Sequence, residues 1–260
     1  MSGPAPPAEA PAPETTEDAL LGGRLRLLQP RRGHRAGTDA MLLIAACGEG
    51  ARAVDLGSGP GPIGLGLLAL GRFREAVLVE RDPAAAALAR ANIALNGLEA
   101  RAALVEADLT ARAALLEPLG LRAGIADLAV ANPPYNEPSR HRASPRAARA
   151  QAHEMAPELA QAWLKAALRL LTANGRLALI HRPEALPWLL PLIAARMGAV
   201  TILPVHARAG EPASRVLIGA RAQTKAPARI LPALVLHEDD GRFTPLGRSI
   251  HAGEAAIALW

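Results

Sequence analysis

Residues 54–64 read "VDLGSGPGPIG". An apolar run, "RAVDLG", reaches a carboxylate at Asp55, and glycines follow at 57, 59 and 61. The next residues, "PIGLGLLALGR", read as a helix, with proline suited to its first turn. A glycine-rich link from strand to helix lets a ligand approach the backbone closely. The helix N-terminus adds positive potential there.

Regular alternation continues outward from this stretch. "EAVLVE" is a strand, and "DPAAAALARANIALNG" is a helix with Pro83 in its first turn and Gly97 at its end. "RAALVEAD" is a strand, residues 110–119 a short helix, and "IADLAVA" a fourth strand. "APELAQAWLKAALRLLTANG" is an amphipathic helix expected to end at Asn174-Gly175, with Trp163 in the core. "RLALIH", a helix over 183–197, "AVTILPVH" and "SRVLIGARA" complete the series. The expected fold is α/β, Rossmann-like: a mainly parallel seven-stranded sheet with helices on both faces. Ahead of it, "GGRLRLLQPRRG" predicts a strand or hairpin, and "GTDAMLLIAACGEG" a helix capped by Thr38 or Asp39. The expected organisation is a disordered tail over 1–19, an N-terminal strand and helix extension over 20–50, the core over 51–222, and a strand and turn appendage over 223–260.

Gly59, Gly61 and Gly64 satisfy G-x-G-x-x-G, and Glu80, 21 residues after Gly59, ends the next strand where it would hold ribose hydroxyls. This pattern fits both a dinucleotide enzyme and a methyltransferase using S-adenosylmethionine. Asp55 tilts the choice, because a carboxylate suits a positively charged methionine end and is awkward beside a pyrophosphate. Asp108 ends the third strand, where it would accept from an adenine amine. Ordinary strand-end caps are the alternative for each acid alone. At the ends of successive strands they favour one cofactor crevice.

The fourth strand runs into "ANPPY", residues 131–135, which holds the only tyrosine of the chain. Two prolines make a stiff corner whose carbonyls stay free to accept. The Asn132 amide oxygen and the Pro133 carbonyl can together accept both hydrogens of a primary amine. Pro134 stiffens the corner and Tyr135 offers a face for stacking, worth ~1–3 kcal/mol for a nucleobase. Such a corner holds a planar amine, such as an adenine out of its stack.

"DLGSGPG", Glu80, Asp108 and "NPPY", in this order, resemble the class I methyltransferases that modify amino nitrogens, over residues 51–222. From residue 20 onward, "LLGGRLRLLQPRRGHRAGTDAMLLIAA", "NPPY", "GRLALIHRPEALP" and "LVLHEDDGRFTP" resemble the bacterial tRNA (adenine-N6) methyltransferase family that modifies valine tRNA beside the anticodon. The resemblance implies N6-methylation of a tRNA adenine with S-adenosylmethionine as cofactor. It implies cofactor contacts at Gly37, Thr38 and Asp39 on the methionine side, and at Asp55, Gly57, Gly59, Gly61, Glu80, Asp108 and Asn132. The catalytic corner would be Asn132, Pro133, Pro134 and Tyr135. Where the family often carries a second aromatic, this chain has Asn136. Two rivals share the corner chemistry. Protein glutamine N5-methyltransferases usually carry a larger helical N-terminal domain, and ribosomal RNA guanine-N2 methyltransferases usually show phenylalanine at the tyrosine position. A non-catalytic RNA-binding relative would not need Asp55, Glu80, Asp108 and Asn132 together, and an NAD-dependent enzyme would not need Asn-Pro-Pro-Tyr.

Composition agrees with a polyanionic partner. The formal net charge is +5, and the first 20 residues hold four acids and no base, which leaves +9 on the remainder. Arginine supplies 27 of the 29 basic residues, so a genome-wide composition bias is the competing account. Candidate tRNA contacts are Arg31, Arg32 and Arg35 near the first strand, and Arg140, Arg142, Arg146 and Arg149 in the long loop after the corner. A single cysteine and seven scattered histidines give no metal-ligand spacing, so no metal is expected. The absence of a membrane-length apolar run and of a secretory leader predicts a cytoplasmic protein.

Overall fold

The computed structural model describes residues 14–31, 35–133 and 157–260. A hairpin of β1 (Thr15–Leu20) and β2 (Leu25–Pro30) comes first, then helix α1 (Thr38–Ala46). The alternating core follows as β3 (Gly50–Leu56), α2 (Pro62–Ala69), β4 (Phe73–Glu80), α3 (Pro83–Leu95), β5 (Ala102–Glu106), α4 (Ala113–Leu116) and β6 (Ala126–Ala131). Beyond residue 156 lie α5 (Pro157–Leu170), β7 (Leu171–His181), α6 (Leu186–Ala194), β8 (Met197–His206), β9 (Ala213–Ala222), β10 (Arg229–Ile230), β11 (Leu234–Val235) and α7 (Pro245–His251).

The sheet runs β10-β8-β9-β7-β6-β3-β4-β5, and β11 also pairs with β8. It has nine strands among the described residues, two more than the sequence predicts, because two-residue strands β10 and β11 extend the edge beside β8. Among these strands only β9 runs antiparallel to its neighbours. After β3 the chain steps to β4 on one side, while β6 pairs on the other. That reversal opens a crevice at the carboxyl ends of β3 and β6, where open α/β sheets bind ligands.

Strand periodicity sends alternate side chains to two cores. Ala53, Leu128 and Val130 pack with α1, α2, α3 and the hairpin's Leu25, whereas Val54, Leu56 and Ala129 pack with α5 and α6. Leu234, Leu236, Ile257 and Leu259 belong to the first core, so residues 223–260 are integrated with the sheet rather than appended to it. The indole of Trp260 donates to the Ala46 carbonyl at the end of α1 (3.1 Å).

The hairpin is held by two asparagines. Asn92 and Asn96 lie one helical turn apart at the end of α3. Leu28 N–H donates to Asn92 Oδ1 (2.6 Å) and Asn92 Nδ2 donates to the Leu28 carbonyl (2.9 Å). Arg26 N–H donates to Asn96 Oδ1 (2.9 Å), and Asn96 Nδ2 donates to the Arg26 carbonyl (2.7 Å). Four residues of helix rise about 6 Å and two residues of strand about 6.6 Å, so the two amides meet alternate residues of β2. Asn92 Nδ2 also donates to the Pro60 carbonyl in the glycine loop (2.9 Å).

Several sequence expectations shift. Strand β1 begins at Thr15, inside the stretch expected to be a disordered tail, because its register pairs Thr15 through Leu20 with Pro30 through Leu25. Helix α5 stops at Leu170 rather than at Asn174-Gly175. Leu171 already pairs with Ala126, and the ladder then skips to Arg176 opposite Leu128, so the intervening residues form an irregularity in β7. Helix α1 has Gly37 at its N-cap with no side-chain cap, so neither Thr38 nor Asp39 fills that position.

Candidate cofactor crevice and acceptor corner

Parallel register brings the sequence-predicted residues to one level. Leu56 pairs with Val79 on β4 and with Ala131 on β6, and Ala131 pairs with Leu179 on β7. One residue further along each strand, Glu80, Gly57, Asn132 and Ile180 therefore stand in a row. With neighbouring strands about 4.8 Å apart, Glu80 and Asn132 flank the glycine loop about 10 Å from each other.

Two carboxylates shape that loop. Asp55 is buried, and its Oδ2 accepts from Gly64 N–H at the start of α2 (2.9 Å). Burial pushes its pKa up to about 7; the Gly64 bond opposes the rise and nearby Glu80 adds to it. Asp55 thus points toward the loop, as the sequence predicts, and lies buried beneath it. Glu80 Oε2 accepts from Gly59 N–H (2.8 Å), and its Oε1 accepts from Arg81 and Asp82 N–H (both 2.8 Å). It ties the loop to the end of β4 and is 9% exposed.

The loop leaves room in front of itself. Gly59 has φ +55°, and a Cβ built there would meet nothing within 4 Å. Ser58 Oγ is buried with no hydrogen-bond partner among the described residues. An open glycine turn with a spare hydroxyl and flanking acids fits a cofactor with hydroxyl and amine groups to donate. Asp108 Oδ1 accepts from the N–H and Oγ1 of Thr110 (both 2.8 Å), which lowers its pKa; Arg81 lies 3.9 Å from its other oxygen. Its side chain is half exposed at the crevice rim.

Gly37, Thr38 and Asp39 open helix α1. Asp39 is committed to an ion pair, accepting from Arg215 Nε at 2.9 Å. Arg215 lies near the start of β9, so the pair fastens α1 to the strand that lies between β7 and β8. Sequence reasoning missed Arg215, because only the antiparallel register of β9 returns it to the carboxyl rim.

At the acceptor corner, Pro133 is buried and lines an apolar cavity of about 40 Å³ with Leu56, Trp163, His181 and Trp188. Trp163, a core residue on the sequence reading, is half-buried, and its ring packs on Gly57. Pro134, Tyr135, Arg32, Arg140, Arg142, Arg146 and Arg149 lie outside the described residues. Arg31 keeps an exposed pair with Glu14 (3.1 Å). Arg35 instead bonds Thr16 Oγ1 (2.7 Å), the Pro30 carbonyl (3.0 Å) and Asp18 (2.6 Å), so it serves as a latch on the hairpin. Among the described residues, no group of three or more His, Cys, Asp or Glu is placed to hold a metal, and no helix is long and apolar enough to cross a membrane.

The strand order, the antiparallel β9 and the glycine crevice define a class I methyltransferase, whose methyl donor is S-adenosylmethionine. The methyltransferase small domain profile matches residues 36–190, and the chain belongs to that family. It is 32% identical over 227 residues to the tRNA1(Val) (adenine(37)-N6)-methyltransferase of Porphyromonas gingivalis strain W83, covering 81% of this chain and 84% of that one. Among solved structures, a "predicted O-methyltransferase" from Agrobacterium tumefaciens shares 29% identity at a TM-score of 0.71, covering 85% of this chain and 98% of the other. TYW2 of M. jannaschii in complex with AdoMet shares the fold at 12% identity and a TM-score of 0.54, covering 80% and 86%.

Proposed function

We propose that this protein methylates N6 of an adenine in tRNA, next to the anticodon of valine tRNA. The observation that carries this reading is the common level of Gly57 and Asn132 at adjacent strand ends. It supports the reading by setting Asn132 beside the glycine loop in a chain similar to a tRNA adenine-N6 methyltransferase. When bound, S-adenosylmethionine supplies an electrophilic methyl on a sulfonium.

The residues then divide the work. Glu80 would take the ribose hydroxyls and Asp108 the adenine amine of the cofactor, while Asp55 keeps the loop in shape from below. Asn132 Oδ1 and the Pro133 carbonyl would accept the two hydrogens of the target N6 amine and leave its lone pair facing the methyl. Tyr135 would stack on the base. The corner would hold the amine nitrogen for transfer of that methyl, and the amine's extra proton would leave to solvent afterwards. No strong base is required, since the product ammonium is far more acidic than the starting amine. Positioning supplies most of the acceleration, with effective molarities on the order of 10⁵ M or more available to aligned pairs. A hydroxyl acceptor presents one hydrogen and would leave half of this corner unused, which favours an amine over the oxygen named for the Agrobacterium protein.

The test is methyl transfer from labelled S-adenosylmethionine to tRNA from a strain lacking this gene, followed by nucleoside analysis. N6-methyladenosine is the expected product. Label in ribosomal RNA, in a protein glutamine or in a hydroxyl, with tRNA unlabelled, would overturn the assignment while leaving the crevice intact.

A further inference from the structure

A second cleft lies on the outer face of the core, between α5 and the segment that follows β5. Its volume is about 330 Å³, and its lining includes Thr110, Gln161, Lys165 and Arg169. Among the described residues, no carboxylate lines it. Gln161, Lys165 and Arg169 follow at four-residue intervals on α5, so they face the cleft together along about 12 Å of helix. Thr110 sets its crevice end, since that residue bonds Asp108 at the rim.

Arg169 marks the far end of the cleft. Its Nη1 donates to the Leu121 carbonyl (2.7 Å), which fixes the guanidinium in place. Glu117 stands 3.8 Å from the same nitrogen and is half exposed. The other nitrogen, Nη2, is buried and has no hydrogen-bond partner among the described residues. The guanidinium, 20% exposed, brings its positive charge to the cleft wall. Lys165 is exposed halfway along the cleft.

From the donors along its α5 wall, in a lining that also holds Leu109, Ala111, Ala113 and Leu116, we infer a phosphodiester seat: the α5 cleft takes the backbone of the RNA whose base enters the acceptor corner. The inference rests on the tRNA reading above. A phosphate needs N–H donors and positive charge and no carboxylate among the groups it touches, and the lining of this cleft meets each condition. The cleft and the acceptor corner share α5: Trp163 packs on the glycine loop from the same helix that carries Gln161 and Lys165. Gln161 and Lys165 each stand two residues from Trp163, about 200° around the helix, so the cleft and the corner lie on different sides of the helix that both use.

The experiment measures tRNA affinity at several salt concentrations for the full chain and for Lys165→Ala, Lys165→Glu and Gln161→Ala. S-adenosylmethionine affinity and melting temperature are recorded beside it. Removing one cationic partner of a phosphate should reduce the slope of log affinity against log salt by roughly 0.7–0.9. Lys165→Ala should show about one such step, and Lys165→Glu a larger loss of tRNA affinity, with cofactor affinity and melting unchanged. Gln161→Ala should weaken tRNA binding and leave the slope as it is, because an amide displaces no counterion. Unaltered tRNA affinity and slope in Lys165→Glu, with the unsubstituted protein binding tRNA, would overturn the seat alone. Failure of the unsubstituted protein to bind tRNA at any salt concentration would overturn the seat and the tRNA reading together.

Discussion

The indole of Trp163 occupies the space that a side chain on Gly57 would need. A Cβ built on Gly57 falls well inside contact with Trp163 Cη2, with Cζ3 and Cζ2 at 3.2 and 3.3 Å. Gly57 also has φ +65°, a conformation costing other residues roughly 1–2 kcal/mol. Gly57→Ala should therefore lose about that much from backbone strain and more from the clash, and should weaken cofactor binding. Trp163→Leu should recover the clash portion alone. A double-mutant cycle on melting and cofactor affinity checks this, and strict additivity would show that the two residues are not coupled.

Asp55 gives the fold a pH signature of a particular sign. Its pKa is about 7 in the folded state because it is buried. In the unfolded chain it ionises at about 3.9. Between those values the folded state binds more protons, so this group lowers stability as pH rises, by up to about 1.4 kcal/mol per unit, and then levels off above 7. Asp55→Asn keeps an oxygen for Gly64 N–H and removes the titration. Denaturant unfolding from pH 4 to 8 should show the variant gaining on the parent across that window. Curves that stay parallel would mean that Asp55 remains ionised throughout.

The alternating fold is legible in the sequence because each core strand is a short apolar run bounded by glycine, proline or a strand-end acid. The row of Glu80, Gly57 and Asn132 follows from those boundaries, since parallel strands in register end together. Sheet width is harder to read: β10 and β11 are two residues each and carry no periodicity. The end of α5 escapes for another reason. "LTANG" is a good helix terminus locally, but pairing of Leu171 with Ala126 takes the chain into the sheet first. Trp163, Arg215 and Asn92 leave no local signal. Each acts on a residue distant in sequence, and only the register shows which one.

Asn92 should matter more than a surface amide. It is fully buried and joins α3 to both the hairpin and the Pro60 carbonyl. Asn92→Leu would leave Leu28 N–H and two carbonyls without partners, at about 1–3 kcal/mol for each group that stays buried. The expected result is a lower melting temperature, with amides of 25–29 exchanging much faster than those of β3 and β4. Uniform acceleration across the sheet would indicate global loss of stability and count against a local tie.

Asn132 provides the sharpest division between binding and chemistry. Gly57 and Glu80 stand on one side of its strand end and Ile180 on the other. Asn132→Ala removes the side-chain oxygen proposed to accept from the target amine, and leaves Asp55, Glu80 and the glycine loop untouched. Methyl transfer should fall by about 10² or more, the loss expected when a reacting group is displaced by about 1 Å. Affinity for S-adenosylmethionine, measured by calorimetry, should change little. Asn132→Asp tests the same oxygen with an added charge. It keeps an acceptor, so it should retain more activity than alanine if hydrogen bonding to the amine is what matters. Equal loss of cofactor binding and transfer in both variants would make Asn132 a cofactor residue and move the acceptor role elsewhere along the corner.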